Sequence, residues 1–171
     1  MKKIIKNSLL GLAGALVIMQ FFHPKPNNSG DDTKDISKSF DVPADVQLIL
    51  QTSCFDCHSN STRYPWYAKI QPVDWWLTDH INEGKYEVNF SKFSEYRAGR
   101  QYRKFDEIIK QVEENEMPLL SYTWLHGDAK LSETQKTRLI SWAKAQRDTM
   151  EAHFPKDSLA TKNDRRPPPP H

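Results

Sequence analysis

Cysteine is almost absent from this chain, at two residues in 171. So scarce a supply leaves room for one cysteine-based site and no second. A basic stripe is also lacking, and a formal charge of +2 carries no electrostatic signature of nucleic-acid binding. No Ser-His-Asp set, phosphate loop or paired-carboxylate motif stands out, so no hydrolytic or nucleotide chemistry is implied. Nothing repeats, and almost nothing alternates with a period of two, so the chain reads as all helix and loop.

What is there centres on Ser53-Cys54-Phe55-Asp56-Cys57-His58-Ser59, which holds both cysteines. The spacing C-x-x-C-H is the attachment signature of c-type haem. Each thiol can form a thioether with one vinyl group, and two intervening residues let both sulfurs reach from one turn of backbone. His58 then falls under the iron as proximal ligand. Structural zinc is the main rival, since Cys54 and Cys57 could be joined by two of His58, His80 and His126. Zinc-finger spacing is absent, however, because no H-x3–5-H pair exists. A thioredoxin-like pair would sit in a βαβ pattern, and nothing near residue 54 reads as a strand. A short-loop disulfide with a histidine behind it is the plainest alternative.

The chain opens with a basic stretch, Met1-Lys2-Lys3-Ile4-Ile5-Lys6, then an apolar run from Leu9 to Phe22 broken only by Gln20. Charge followed by an apolar run is the form of a secretory signal. The run is shorter than the ~20 residues of a comfortable span, yet no A-x-A-like cleavage site follows it. Residues 1–22 therefore read as a signal peptide or, preferably, an uncleaved signal anchor, with the lysines inside and the rest exported. Export and haem c support each other, because attachment requires reduced thiols in an exported apoprotein met by envelope maturation machinery. Residues 23–40 are polar with prolines and read as a flexible linker. Residues 41–155 make one domain, and 156–171, ending in Arg-Arg-Pro-Pro-Pro-Pro-His, read as a disordered or polyproline tail.

Within the domain, Val46, Ile49, Leu50 and Ser53 recur on one helical face that runs into the motif. The loop Asn60–Tyr67 has no helical period, and its Arg63 is either a propionate partner, since guanidinium binds carboxylate bidentately, or solvent-facing. A second helix opens at Pro72 with Val73, Trp76, Leu77, His80 and Ile81 on one face, and Gly84 reads as its stop. Ser91 or Ser94 is the expected cap of a short helix. Phe105, Ile108, Ile109 and Val112 mark a helix over about 103–115 that Pro118 ends. Ser132-Glu133-Thr134-Gln135 is a capping box for a last helix that carries Leu139, Trp142 and Ala143, with Trp142 expected near the haem edge. Aromatics are plentiful, which suits wrapping a flat cofactor and equally suits building a small core.

The sixth iron ligand decides function. Met117 is the first candidate, as the sole methionine inside the predicted domain before the last helix, and His with Met raises the potential. It could equally fill a core gap. His80 and His126 are the other candidates, though a histidine placed like His80 reads first as a core residue bonded to a neighbour.

Cys54 to Ser59, Thr62 to Tyr67, Asp79-His80-Ile81 with Gly84, Asn89-Phe90-Ser91, Met117-Pro118 with Tyr122 and His126, and Leu131-Ser132 ahead of Trp142 together resemble the bacterial haem-binding domain family. The likeness covers nearly all of residues 41–146. It implies haem c bound covalently at Cys54 and Cys57 with iron at His58. Met117 as distal ligand follows from analogy with small cytochromes c, which share a helix into the motif, a Met-Pro loop and a C-terminal helix; the tryptophan-rich helix between motif and methionine departs from the smallest of them. The expectation is an all-α, cytochrome c-like domain around one covalent haem, facing the periplasm from the inner membrane. It would relay single electrons between redox proteins as a carrier rather than an enzyme. The alternative is a peroxidase or sensor whose sixth site is open or filled by histidine.

Overall fold

The computed structural model describes residues 1–160. The eight α-helices among them are α1 (Lys2–Met19), α2 (Ala44–Ser53), α3 (Phe55–His58), α4 (Val73–Glu87), α5 (Ala98–Glu113), α6 (Leu120–Thr123), α7 (Glu133–His153) and α8 (Lys156–Leu159). Single 3-10 turns at Ile36–Lys38, Trp66–Lys69, Phe90–Glu95 and Gly127–Ala129 link them, and no strand occurs among the described residues.

The core lies between α2, α5 and α7. Val46, Ile49, Leu50 and Ser53 are all buried, the face their spacing predicts. Across from them α5 buries Phe105, Ile109 and Val112, and α7 buries Leu139, Trp142, Ala143 and Met150. The capping box forms as expected, with the Ser132 hydroxyl accepting from the Gln135 amide and the Gln135 side chain accepting from Ser132. Such reciprocal caps satisfy two donors that helix geometry orphans.

Two expectations need correction, and a third gains no support. The supposed flexible linker over 23–40 is a strap packed along the domain. Ile36 is fully buried in the core, His23 pairs with Asp74 at 2.7 Å, the Asn27 side chain bonds Asn82 at 2.7 Å, and the Asp31 carbonyl accepts from Asn60 at 2.7 Å. Polarity misled here because the strap's polar groups are spent on the domain rather than on water. Residues 156–159 form α8 rather than a tail, and Leu159 is buried; the remainder of the expected tail, 161–171, lies outside the described residues. At the other end α1 is 18 residues long, and no helix among the described residues is long and apolar enough to cross a membrane. The predicted anchor therefore gains no support from helix length.

Helix α4 is turned relative to its predicted face. Leu77 and Ile81 are buried, but Trp76 and Val73 are exposed, and Asp74, Thr78 and Lys85 are buried instead. The strap explains the rotation. Asp74 meets His23 and Gln71, while the Lys85 ammonium donates to the Asn27 carbonyl and burial draws its pKa down to about 8. Buried polar groups of this kind stay buried only when partnered.

Candidate functional site

Cys54 stands between two helices, closing α2 and opening α3 with φ −128° and ψ −40°. The break turns the chain, and the Cys54 carbonyl then accepts from the amides of Cys57 at 3.2 Å and His58 at 2.9 Å. One turn of helix thus gathers both thiols and the imidazole. Burial pushes the Cys54 thiol up to about 12 and the Cys57 thiol to about 11, helped by the neighbouring cysteine and by Asp56 respectively. Both are free thiols, held protonated at neutral pH. Among the described residues no group of three or more His, Cys, Asp or Glu is arranged to hold a metal ion, so the four-ligand zinc arrangement is not assembled.

His58 is held by its back. Its Nδ1 lies 2.9 Å from the Gly84 carbonyl and 3.0 Å from the Val88 carbonyl. Carbonyls only accept, so Nδ1 carries the proton and Nε2 keeps its lone pair. That is how a metal-ligating histidine is oriented and its tautomer fixed. Burial lowers the pKa of His58, the two carbonyl contacts opposing it only in part, which favours the neutral imidazole a metal needs.

Gly84 makes this contact possible. A Cβ there would sit 2.9 Å from the Cys57 carbonyl oxygen and 3.3 Å from His58 Cε1. Gly84 is therefore not the predicted helix stop, since α4 runs on to Glu87; its role is to let α4 press against α3.

In front of His58 opens a cleft of about 520 Å3, within the roughly 300–1,000 Å3 usual for cofactor sites. Cys54, Cys57 and His58 form one side, with Gly84, Glu83 and His80 from α4 beside them. Leu50, Phe90, Ile108, Val112 and Leu139 line it with apolar surface, and Met117, Pro118, Leu119 and Tyr122 close it. Met117 is placed by the end of α5. Asn115 adopts the left-handed conformation, φ 59°, and the amides of Glu116 and Met117 both return to the Gln111 carbonyl, at 2.9 and 3.2 Å. Asparagine tolerates that conformation at a helix C-terminus, so it and not Pro118 ends the helix.

Of the predicted site residues, the structure brings Cys54, Cys57, His58, Met117 and His80 to one cleft. His126 and Arg63 are elsewhere. His126 Nε2 bonds the Tyr67 hydroxyl at 2.7 Å, and its ring stacks on Tyr122. Arg63 is 73% exposed, pairs with Asp56 at 3.1 Å, and borders a separate outer groove with Asp32 and Ser61. The cationic side chain that does line the cleft is Lys104, almost fully buried and paired with Glu87 at 3.0 Å and with Glu107. Nothing in its sequence neighbourhood marked it. Trp142 is not at the cleft: it packs edge-on against Phe105, and its indole donates to the Asp41 carbonyl at 2.9 Å.

Two further residues were not foreseen as site residues. Tyr122 donates to Asp56 inside the C-x-x-C motif at 2.7 Å, tying the Met117 segment to α3. Burial first, then the Asp56 carboxylate, pushes the phenol pKa upward and keeps it a donor. Buried Asn60 accepts from the Gly30 amide and the Asn89 side chain while donating to Asp31 and Ser91, joining strap, motif and the 3-10 turn at Phe90. Their partners lie some 30 to 66 positions away, beyond local pattern.

Fold and site together define a small all-helical domain built around one cofactor-sized, largely apolar cleft with a poised histidine. A family model described as a haem-binding domain matches residues 14–145, and the chain belongs to that family. The match begins inside α1 and so takes in the strap. No curated protein and no solved structure matches the chain. Membership of that family makes haem the cofactor expected of the domain.

Proposed function

We propose that the protein binds a single haem c covalently through Cys54 and Cys57, that His58 and Met117 would hold its iron, and that it carries one electron at a time in the cell envelope. The observation that carries this reading is the double tie of His58 Nδ1 to Gly84 and Val88, which leaves Nε2 as the one available ring nitrogen beside the two half-buried thiols. Each thiol would add across one vinyl double bond, sulfur to one carbon and hydrogen to the other, an addition that needs no oxidant and has no leaving group. When bound, the haem supplies an iron that gains and loses a single electron; the chain sets its potential through ligands and burial.

Met117 is favoured over His80 by the wall each belongs to. His80 is on α4, the helix that supports His58 from behind, and its Nδ1 is engaged with the Trp76 carbonyl at 2.9 Å. Met117 belongs to the segment that closes the cleft from α5. Lys104, rather than Arg63, is the cation placed to meet a propionate. A second reading, a peroxidase or sensor with an open or histidine-filled sixth site, draws on the presence of His80 in the same cleft. The N-terminal segment, with lysines ahead of an apolar run, is read as the signal that exports the domain to the periplasm and holds it at the inner membrane. Its partners there are redox proteins and the haem maturation machinery.

Visible spectra of the matured protein and of Met117→Ala test the ligand set. The expected result is a low-spin wild type with a far-red ferric charge-transfer band that the variant loses as it turns high-spin. A low-spin spectrum indifferent to the substitution transfers the assignment to His80, and a high-spin wild type favours the enzyme or sensor reading.

A further inference from the structure

The end of α1 is fastened to the domain. The Gln20 side chain donates to the Gln71 carbonyl at 3.2 Å and accepts from its amide at 3.0 Å. The Phe22 carbonyl accepts from the Gln71 side chain at 2.7 Å and from the Trp75 indole at 2.9 Å. Around this junction the surface is apolar and bare. Phe21 and Phe22 are largely exposed, and Ile70, Val73, Trp75 and Trp76 are between 36 and 46% exposed. Helix α1 itself buries no residue, with leucines and isoleucines on every side and Lys2, Lys3 and Lys6 at its far end.

A helical stretch apolar all round is suited to a protein core or to lipid, and the Leu9–Met19 part of α1 is in no core. A protein partner with one apolar groove would cover one side of it; lipid covers all. The uninterrupted apolar part of α1, from Leu9 to Met19, reaches about 16 Å at 1.5 Å per residue, well short of the ~30 Å hydrocarbon layer. A shortfall of this kind is made up by thinning the bilayer or by apolar groups at the helix end. The junction supplies such groups, and two are tryptophans, which concentrate at membrane interfaces.

We propose that the face formed by Phe21, Phe22, Ile70, Val73, Trp75 and Trp76 seats in the headgroup–acyl boundary of an anionic bilayer, completing the apolar length that α1 lacks. The inference rests on reading the N-terminal segment as a membrane segment. The domain then lies flat on the membrane instead of swinging from a linker, as its strap also requires. The three lysines at the opposite end of α1 are attracted by anionic headgroups.

The test uses the full chain reconstituted into phosphatidylethanolamine–phosphatidylglycerol vesicles that carry a lipid with a photoactivatable acyl chain. After illumination and trypsin digestion, the peptide spanning residues 70–85 should be labelled along with peptides from α1. Ile70→Ser with Val73→Ser should lower labelling of 70–85 at least five-fold while the visible spectrum of the haem, reporting an intact fold, stays as in the wild type. Labelling confined to α1, with 70–85 at background, overturns the proposed face and leaves the membrane segment standing. Chains that pair through this face would give that same background in a two-chain particle, assigning it to a second copy. No labelling of either region overturns the membrane segment and the face together.

Discussion

Valine in place of Gly84 should cost the protein its haem site. The substituent meets the Cys57 carbonyl oxygen at 2.9 Å, and that oxygen belongs to backbone that can shift only by moving the haem motif. To relieve it α4 must back away, and the Gly84 and Val88 carbonyls that orient His58 go with it. Even alanine should be harmful. Helix propensity alone would favour alanine over a mid-helix glycine by roughly 0.5–1 kcal/mol, whereas overpacking costs typically about 1–3 kcal/mol. Net destabilisation is therefore expected from Gly84→Ala, with a further loss for valine, read from urea midpoints and from the ratio of haem to protein absorbance. Gly127→Ala is the control, because a Cβ there meets nothing within 4 Å. A Gly84→Ala protein more stable than wild type would show that the close approach is not a constraint.

Phe93→Ala should give the largest loss of stability that leaves the cleft intact. Phe93 is fully buried, with its ring 5.2 Å from Phe105, 5.4 Å from Tyr96, 5.8 Å from Phe40 and 6.2 Å from Phe90. Truncating a buried phenylalanine costs about 3–5 kcal/mol, a large share of the roughly 5–15 kcal/mol that holds a domain folded. Phe93 does not border the cleft, whereas its neighbour Phe90 does. The denaturant midpoint should fall sharply while the folded fraction keeps the wild-type visible spectrum. A loss under about 1 kcal/mol would mean that the aromatic cluster is not the packing centre.

That cluster resolves a point the sequence left open, namely whether the many aromatics wrap the cofactor or build the core. Phe40, Phe93, Phe105 and Trp142 build the core, and Phe90 and Tyr122 face the cleft. Features written in local pattern were readable in advance: the buried face of α2, the Ser132 capping box, and the helix-borne grouping of Cys54, Cys57 and His58. Features fixed by distant partners were not. Asp74 and Lys85 are polar, so a reading by apolar spacing turned α4 the wrong way, and only the strap some 50 residues earlier in the chain shows why they are buried. The strap was unreadable for the converse reason, since prolines and polar residues look like linker until their partners are known. Gly84 looked like a stop because glycine often is one; here the absence of a side chain serves contact between α3 and α4. Lys104 and not Arg63 lines the cleft, because burial and not residue type decides which cation is found there.

A haem bonded to Cys54 and Cys57 would stay on the chain when the protein is denatured. Mass spectrometry of the matured protein, denatured, treated with a thiol-alkylating reagent and digested with trypsin, tests for that bond most directly. The account predicts that the peptide containing Cys54-Phe55-Asp56-Cys57-His58 carries the full mass of one haem and takes up no alkyl group. The same peptide recovered without haem and alkylated on both cysteines would contradict it, and would leave a haem-binding cleft whose cofactor is held by side-chain contacts and iron ligation alone.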